Sequence, residues 1–88
     1  MKIKNGFVIR EVGGDFVVVP VGERSKHFHG MINMNATGAF LWKFFTEEHT
    51  TQEAVDALCQ EYAVAREIAE TDVERFVNIL ERNGFSET

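Results

Sequence analysis

The apolar residues of this chain change their spacing once, across Met34-Asn35-Ala36, and that switch limits the folds open to it. Before it they alternate or run together, as in strands; after it they recur at three and four residues, as in helices. Asn35 is a favoured N-cap type, able to accept a hydrogen bond from a free N–H in the first helical turn. Behind it comes the heaviest aromatic cluster in the sequence: Phe40, Trp42, Phe44 and Phe45. A strand therefore feeds directly into a helix that carries much of the core. Strands first and helices after make an α+β chain, and 88 residues suit one domain over 1–88 with one core.

Upstream of the switch, residues 1–5 read as a short polar lead-in. Residues 7–12 (FVIREV) read as a strand, with Phe7 and Ile9 on one side and Val8, Arg10 and Val12 on the other. Gly13-Gly14-Asp15 tolerates positive φ, so a tight hairpin follows. Residues 16–19 (FVVV) are apolar on both faces, which suits a central strand; Pro20 ends it, because it cannot donate to a ladder. After a polar loop over 21–26, a third strand is expected over 27–34. Its core face holds Phe28, Gly30, Ile32 and Met34; its other face holds His27, His29, Met31 and Asn33. A face that polar points to a sheet edge, and Gly30 and Met31 leave that edge poorly guarded. It is either covered by its own loop or held open for a peptide to join as an extra strand.

Three helices are expected downstream. The first, over 36–45, has Phe40, Leu41, Phe44 and Phe45 as its stripe, with Trp42 partly off it, and Gly38 reads as a site of close packing. Thr50 and Glu53 form a capping box at the head of the second, over 51–62, which buries Ala54, Val55, Leu58 and Tyr62. Cys59 borders that stripe as a small core hydrophobe. The third, over 66–83, stops at Asn83-Gly84. Its core stripe is Ala69, Val73, Phe76 and Leu80. Ile68 and Ile79 lie about 90° away, in a column with Asp72 and Arg75. That column is too apolar for a solvated face and too charged for a core, which suits a groove wall; two isoleucines at the margin of a wide core stripe would give the same spacing.

Charge narrows the function. Residues 1–46 carry six Lys/Arg against three acids, and residues 47–88 carry three Arg against eleven acids. The acidic half lacks the footprint that phosphate binding needs, so no nucleic acid is expected; a basic peptide segment suits it better. A lone Cys59 excludes an internal disulfide, and the absence of a signal-like or long apolar segment argues against a membrane and for the cytoplasm. His27 and His29 could supply two metal ligands from one strand face, but a third would have to come from His49 or Cys59, which the sequence does not place; no metal is assigned. No nucleophile–base arrangement, phosphate loop or paired carboxylate in apolar surroundings is visible, so neither catalysis nor a cofactor is expected. Element order also permits a winged-helix DNA-binding regulator, although the third helix, with three Arg against five acids, makes a poor reader. An edge strand serves homodimerisation as readily as peptide binding.

The hairpin FVIREVGGDFVVVP resembles the opening of the PqqD family, and so does Met34-Asn35-Ala36-Thr37 running into Phe40-Leu41-Trp42. The Thr50 capping box, the Tyr62-Ala63-Val64 break, and Asp72-Val73 followed by Phe76, Leu80 and Gly84-Phe85 continue the likeness over about residues 5–85. The resemblance implies a three-stranded antiparallel sheet followed by three helices, similar to a winged helix-turn-helix. It implies a recognition element for ribosomally made, later modified peptides. Such a module binds the precursor's leader peptide beside its third strand and against its last helix, and presents it to a maturation enzyme, often a radical SAM enzyme. Carried over by position, the site would use His29, Gly30, Met31, Ile32 and Asn33 with Ile68, Asp72, Arg75 and Ile79. Ala65 departs from the pattern, since relatives tend to place a helix-capping Asp or Ser there.

Overall fold

A computed structural model of the chain describes residues 1–26 and 32–87. Strand β1 (Phe7–Val12) and strand β2 (Asp15–Pro20) form a hairpin, and β3 (Ile32–Met34) pairs antiparallel with β2, in the order β1-β2-β3. Three helices follow: α1 (Ala36–Phe44), α2 (Thr51–Tyr62) and α3 (Arg66–Asn83). The α+β architecture is the expected one. The loop expected over 21–26 contains a short 3₁₀ segment, Gly22–Lys26. The N-terminal part of the expected third strand, residues 27–31, lies outside the described residues.

The hairpin turns on Gly13 and Gly14 at φ +59° and +88°, between the paired Val12 and Asp15. Positive φ at both central residues is the type I′ pattern, whose twist matches that of the flanking strands. No atom lies within 4 Å of where a Cβ would stand at either position, so backbone conformation, not space, demands glycine there. Cross-strand partners put Ile9, Val18 and Ile32 side by side on the core face, with Val18 fully buried at the centre.

Register also settles which backbone groups face outward. Bonded and non-bonded pairs alternate along an antiparallel ladder, and the Val12–Asp15 pair that closes a two-residue turn is a bonded one. Counting from it, Val17 and Val19 turn their backbone groups to β1, whereas Phe16 and Val18 turn theirs to Met34 and Ile32 of β3. Asn33, between them, therefore points its N–H and C=O away from the sheet.

Local signals set the helix ends. The Asn35 side chain accepts from the Gly38 N–H at 2.8 Å, so strand and helix are joined through a single residue. Thr50 Oγ1 accepts from the Glu53 N–H at 3.1 Å, and the Thr50 N–H donates to Glu53 Oε1 at 2.7 Å, completing the capping box. Helix α3 begins at Ala65 with no side-chain cap. It ends in a Schellman motif: Gly84 sits at φ +70°, its N–H donates to Glu81, and the Phe85 N–H donates to Leu80 at 2.8 Å. A Cβ on Gly38 would stand 3.2 Å from Met34 Cβ, which is the close packing expected of it.

One hydrophobic cluster joins sheet and helices, with Trp42, Phe45 and Phe85 as its largest buried side chains. The stripe expected on α1 needs correcting. Trp42 is 2% exposed and edge-on to Phe85 at 5.5 Å, whereas Phe40 and Phe44 are half-buried. In so apolar a helix, spacing alone does not choose the buried side. Tyr62 also differs: it is 40% exposed at the last turn of α2, leaning edge-on against Phe40. The lead-in over residues 1–5 is not merely polar. Ile3 is buried and bridged to Ser86, its N–H donates to Phe45 O at 2.9 Å, and the Lys4 N–H donates to Phe85 O at 2.8 Å. The only mark of this in the sequence is one isoleucine between two lysines, too short a pattern to read. Among the described residues, no helix is long and apolar enough to cross a membrane.

Candidate functional site: a groove between the sheet edge and the last helix

Because Asn35 alone separates β3 from α1, the strand's end and the helix's first turn form one continuous wall. Helix α3 supplies the opposite wall. At 100° per residue its buried stripe is Ala69, Val73, Phe76 and Leu80, as the spacing predicts. Asp72, Arg75 and Ile79 lie together on one side of that stripe and face the β3–α1 junction across a groove of about 250 Å³. Leu41 and Phe76 form its floor; Asn33, Met34, Thr37 and Gly38 line the near wall.

Four of the expected site residues, Asn33, Asp72, Arg75 and Ile79, meet in this groove. Ile32 has a different place: its side chain packs on the core beside Val18 and its backbone groups turn to β2, so it offers nothing to the outer edge. Ile68 lies on the same side of α3, one turn before Asp72, and is 55% exposed, but it is not among the residues lining the groove. His29, Gly30 and Met31 lie outside the described residues. Sequence reasoning missed Thr37 and Gly38. The signal available for them was the absence of a linker after the strand, which places the first helical turn beside the edge.

The groove offers both charges unspent. Neither Asp72 nor Arg75 has an ion-pair partner within 4 Å among the described residues. Asp72 is half-buried, Arg75 is exposed, and Ile79 is 36% exposed. With the outward backbone of Asn33, the site provides two main-chain hydrogen-bonding groups, an apolar anchor point, a carboxylate and a guanidinium. That set can hold an extended peptide: main chain to main chain along the edge, side chains into the groove. Among the described residues, no three His, Cys, Asp or Glu side chains gather as a metal ion would need; His27 lies outside them, like His29.

Two solved structures share the fold. One is TbiB1 in complex with the TbiA(beta) leader peptide, 26% identical, with 99% of this chain and 95% of that one covered at a TM-score of 0.74. The other is a lasso peptide synthetase B1 complexed with the leader peptide, 21% identical, with 96% and 93% covered at a TM-score of 0.70. No curated protein matches the sequence. Residues 16–85, from β2 to the buried Phe85, match the family model for coenzyme PQQ synthesis protein D, and the chain belongs to the PqqD family.

Proposed function

We propose that this protein is a non-catalytic recognition module that binds the leader segment of a ribosomally made precursor peptide and presents it to a modifying enzyme of radical SAM type. The leader joins the sheet as a fourth strand beside β3 and lies against α3. Asn33 supplies main-chain hydrogen bonds, Ile79 supplies the apolar contact, and Asp72 and Arg75 orient charged side chains of the leader. Ile68 stands on the same helix flank, beyond the groove lining; His29, Gly30 and Met31 lie outside the described residues. The setting is the cytoplasm, where precursor peptides are made.

One observation carries this reading: the outward backbone of Asn33 stands across a groove from Asp72, Arg75 and Ile79. A relative that covers the whole of this fold, and whose structure holds a leader peptide, supports it. The test is an NMR titration of labelled protein with leader segments of short precursor-like reading frames encoded nearby. The expected shifts fall on residues 32–38 and 72–79. Shifts that avoid both segments, or no shift with any such peptide beside a dimer in sedimentation, would sink the reading in favour of an edge-paired structural module.

A further inference from the structure

Helix α3 borders a second groove on the other side of its buried stripe. This one runs between α2 and α3, is of about 280 Å³, and has Val55, Val73 and Val77 at its base. Its rim is polar and acidic: Gln52 from α2, and Glu70, Glu74 and Asn78 from α3. Among the described residues, no Lys or Arg lines it. Arg66 closes one end, donating to Asp56 at 2.8 Å and to Gln52 at 2.8 Å while pairing with Glu70 at 3.4 Å. That bridge uses Asp56 and part of Glu70. Glu74 has no cationic partner within 4 Å among the described residues, and neither has Glu81, two turns further along the same flank.

Backbone groups offer little attraction here, because beyond the first turn of α2, at Thr51 and Gln52, both walls are helix interiors whose main chain is bonded within the helix. What the groove offers is an apolar base under a rim whose negative charge Arg66 offsets only in part. Its complement is a Lys- or Arg-bearing amphipathic segment, with apolar side chains directed to Val73 and Val77 and cationic heads over Glu70 and Glu74.

We infer that the α2–α3 groove is a second docking surface, for a basic amphipathic segment of a protein partner. This inference rests on the function proposed above only for the identity of that partner, which is then the modifying enzyme itself. Two grooves on opposite flanks of one helix would let the module hold the leader and the enzyme at once. An enzyme docked here leaves the β3 edge uncovered.

The test uses the full chain, isotopically labelled, and as probe a synthetic amphipathic helix of roughly four turns, with leucines at helical spacing and lysines elsewhere. The same peptide with glutamates for lysines is its control. At physiological salt, where weak surface attraction is largely screened, the lysine peptide should give saturable shifts centred on Val55, Glu70, Val73, Glu74 and Val77. The glutamate peptide should give none. Glu74→Lys, at an exposed and unpaired position, should weaken the lysine peptide about tenfold through like-charge repulsion. Glu70→Lys should act in the same direction, so a folding defect in either variant leaves the other to decide. Shifts spread without saturation over every acidic patch, shifts centred on Asn33 and Ile79, or unchanged affinity in Glu74→Lys would each overturn the inference. Leader segments titrated into Glu74→Lys report on the β3 groove alone, so the two readings fail separately.

Discussion

The two flanks of α3 share a helix, a length and a buried stripe, yet they present different chemistry. On one side Asp72, Arg75 and Ile79 face the end of a strand whose Asn33 turns its backbone outward. On the other side Glu70, Glu74 and Val77 face a second helix, whose main chain beyond its first turn is bonded within the helix. The first flank can therefore receive an extended chain, and the second only side chains. What a helix flank recognises depends as much on the element beside it as on its own residues. Charge follows the same division: among the described residues, acid and base both stand open on the first flank, whereas the base beside the second, Arg66, is already engaged by Asp56, Gln52 and Glu70.

The largest expected effect separates flank from core. Leu80 is fully buried, so Leu80→Ala should cost about 2–5 kcal/mol of stability in denaturant unfolding. Its neighbour Ile79 is 36% exposed, so Ile79→Asp should leave the chain folded while weakening leader binding by about 1–3 kcal/mol in calorimetry. If Ile79→Asp unfolds instead, that flank belongs to the core and the comparison breaks. Ile68→Asp sharpens it from the same side. At 55% exposure and beyond the groove lining, it should change leader affinity by no more than about 0.5 kcal/mol. A loss as large as that of Ile79→Asp would extend the groove by a turn.

A smaller effect should touch both flanks alike. Helix α3 starts at Ala65 in an extended conformation with no side-chain cap, so Ala65→Asp should stabilise the fold by about 0.5–1 kcal/mol without favouring either groove. Thermal unfolding measures the gain, and leader titration checks the neutrality. The smallest effect lies on α2. The Thr50 backbone N–H, bonded to Glu53, holds that carboxyl below the usual glutamate range, and the Thr50 hydroxyl and His49 add to this. Because the folded value is the lower one, the stabilisation is complete above the ordinary glutamate pKa and is lost as pH falls through the depressed value. Glu53→Gln should flatten that acid limb, which a chemical-shift titration of the α2 amides would show; an unchanged limb would remove the capping box as its cause.

Much of this fold was legible in the sequence because its signals are local. The Thr50–Glu53 box and the Asn83-Gly84 stop place α2 and α3 at the expected residues, and the paired glycines place the hairpin. The α3 side of the groove was legible for a related reason: Asp72 and Arg75 interrupt an apolar column at helical spacing. The rest depended on neighbours distant in sequence. Thr37 and Gly38 become groove residues only because α3 packs opposite them. Trp42 is buried because Phe85, more than forty positions later, lies against it.

The bridge between Ile3 and Ser86 has a kinetic consequence. It closes nearly the whole chain into a loop, and closure entropy grows with loop length, though slowly. The hairpin and the helices need only neighbouring residues to begin forming, so the two ends meet late in folding and part early in local opening. Amide exchange should therefore be faster at Ile3 and Lys4 than at Val73, although all three positions bond in the native state. Phe85, edge-on to both Trp42 and Phe7, stands next to that bridge, so the side of the core beneath the sheet is where such opening should first admit water.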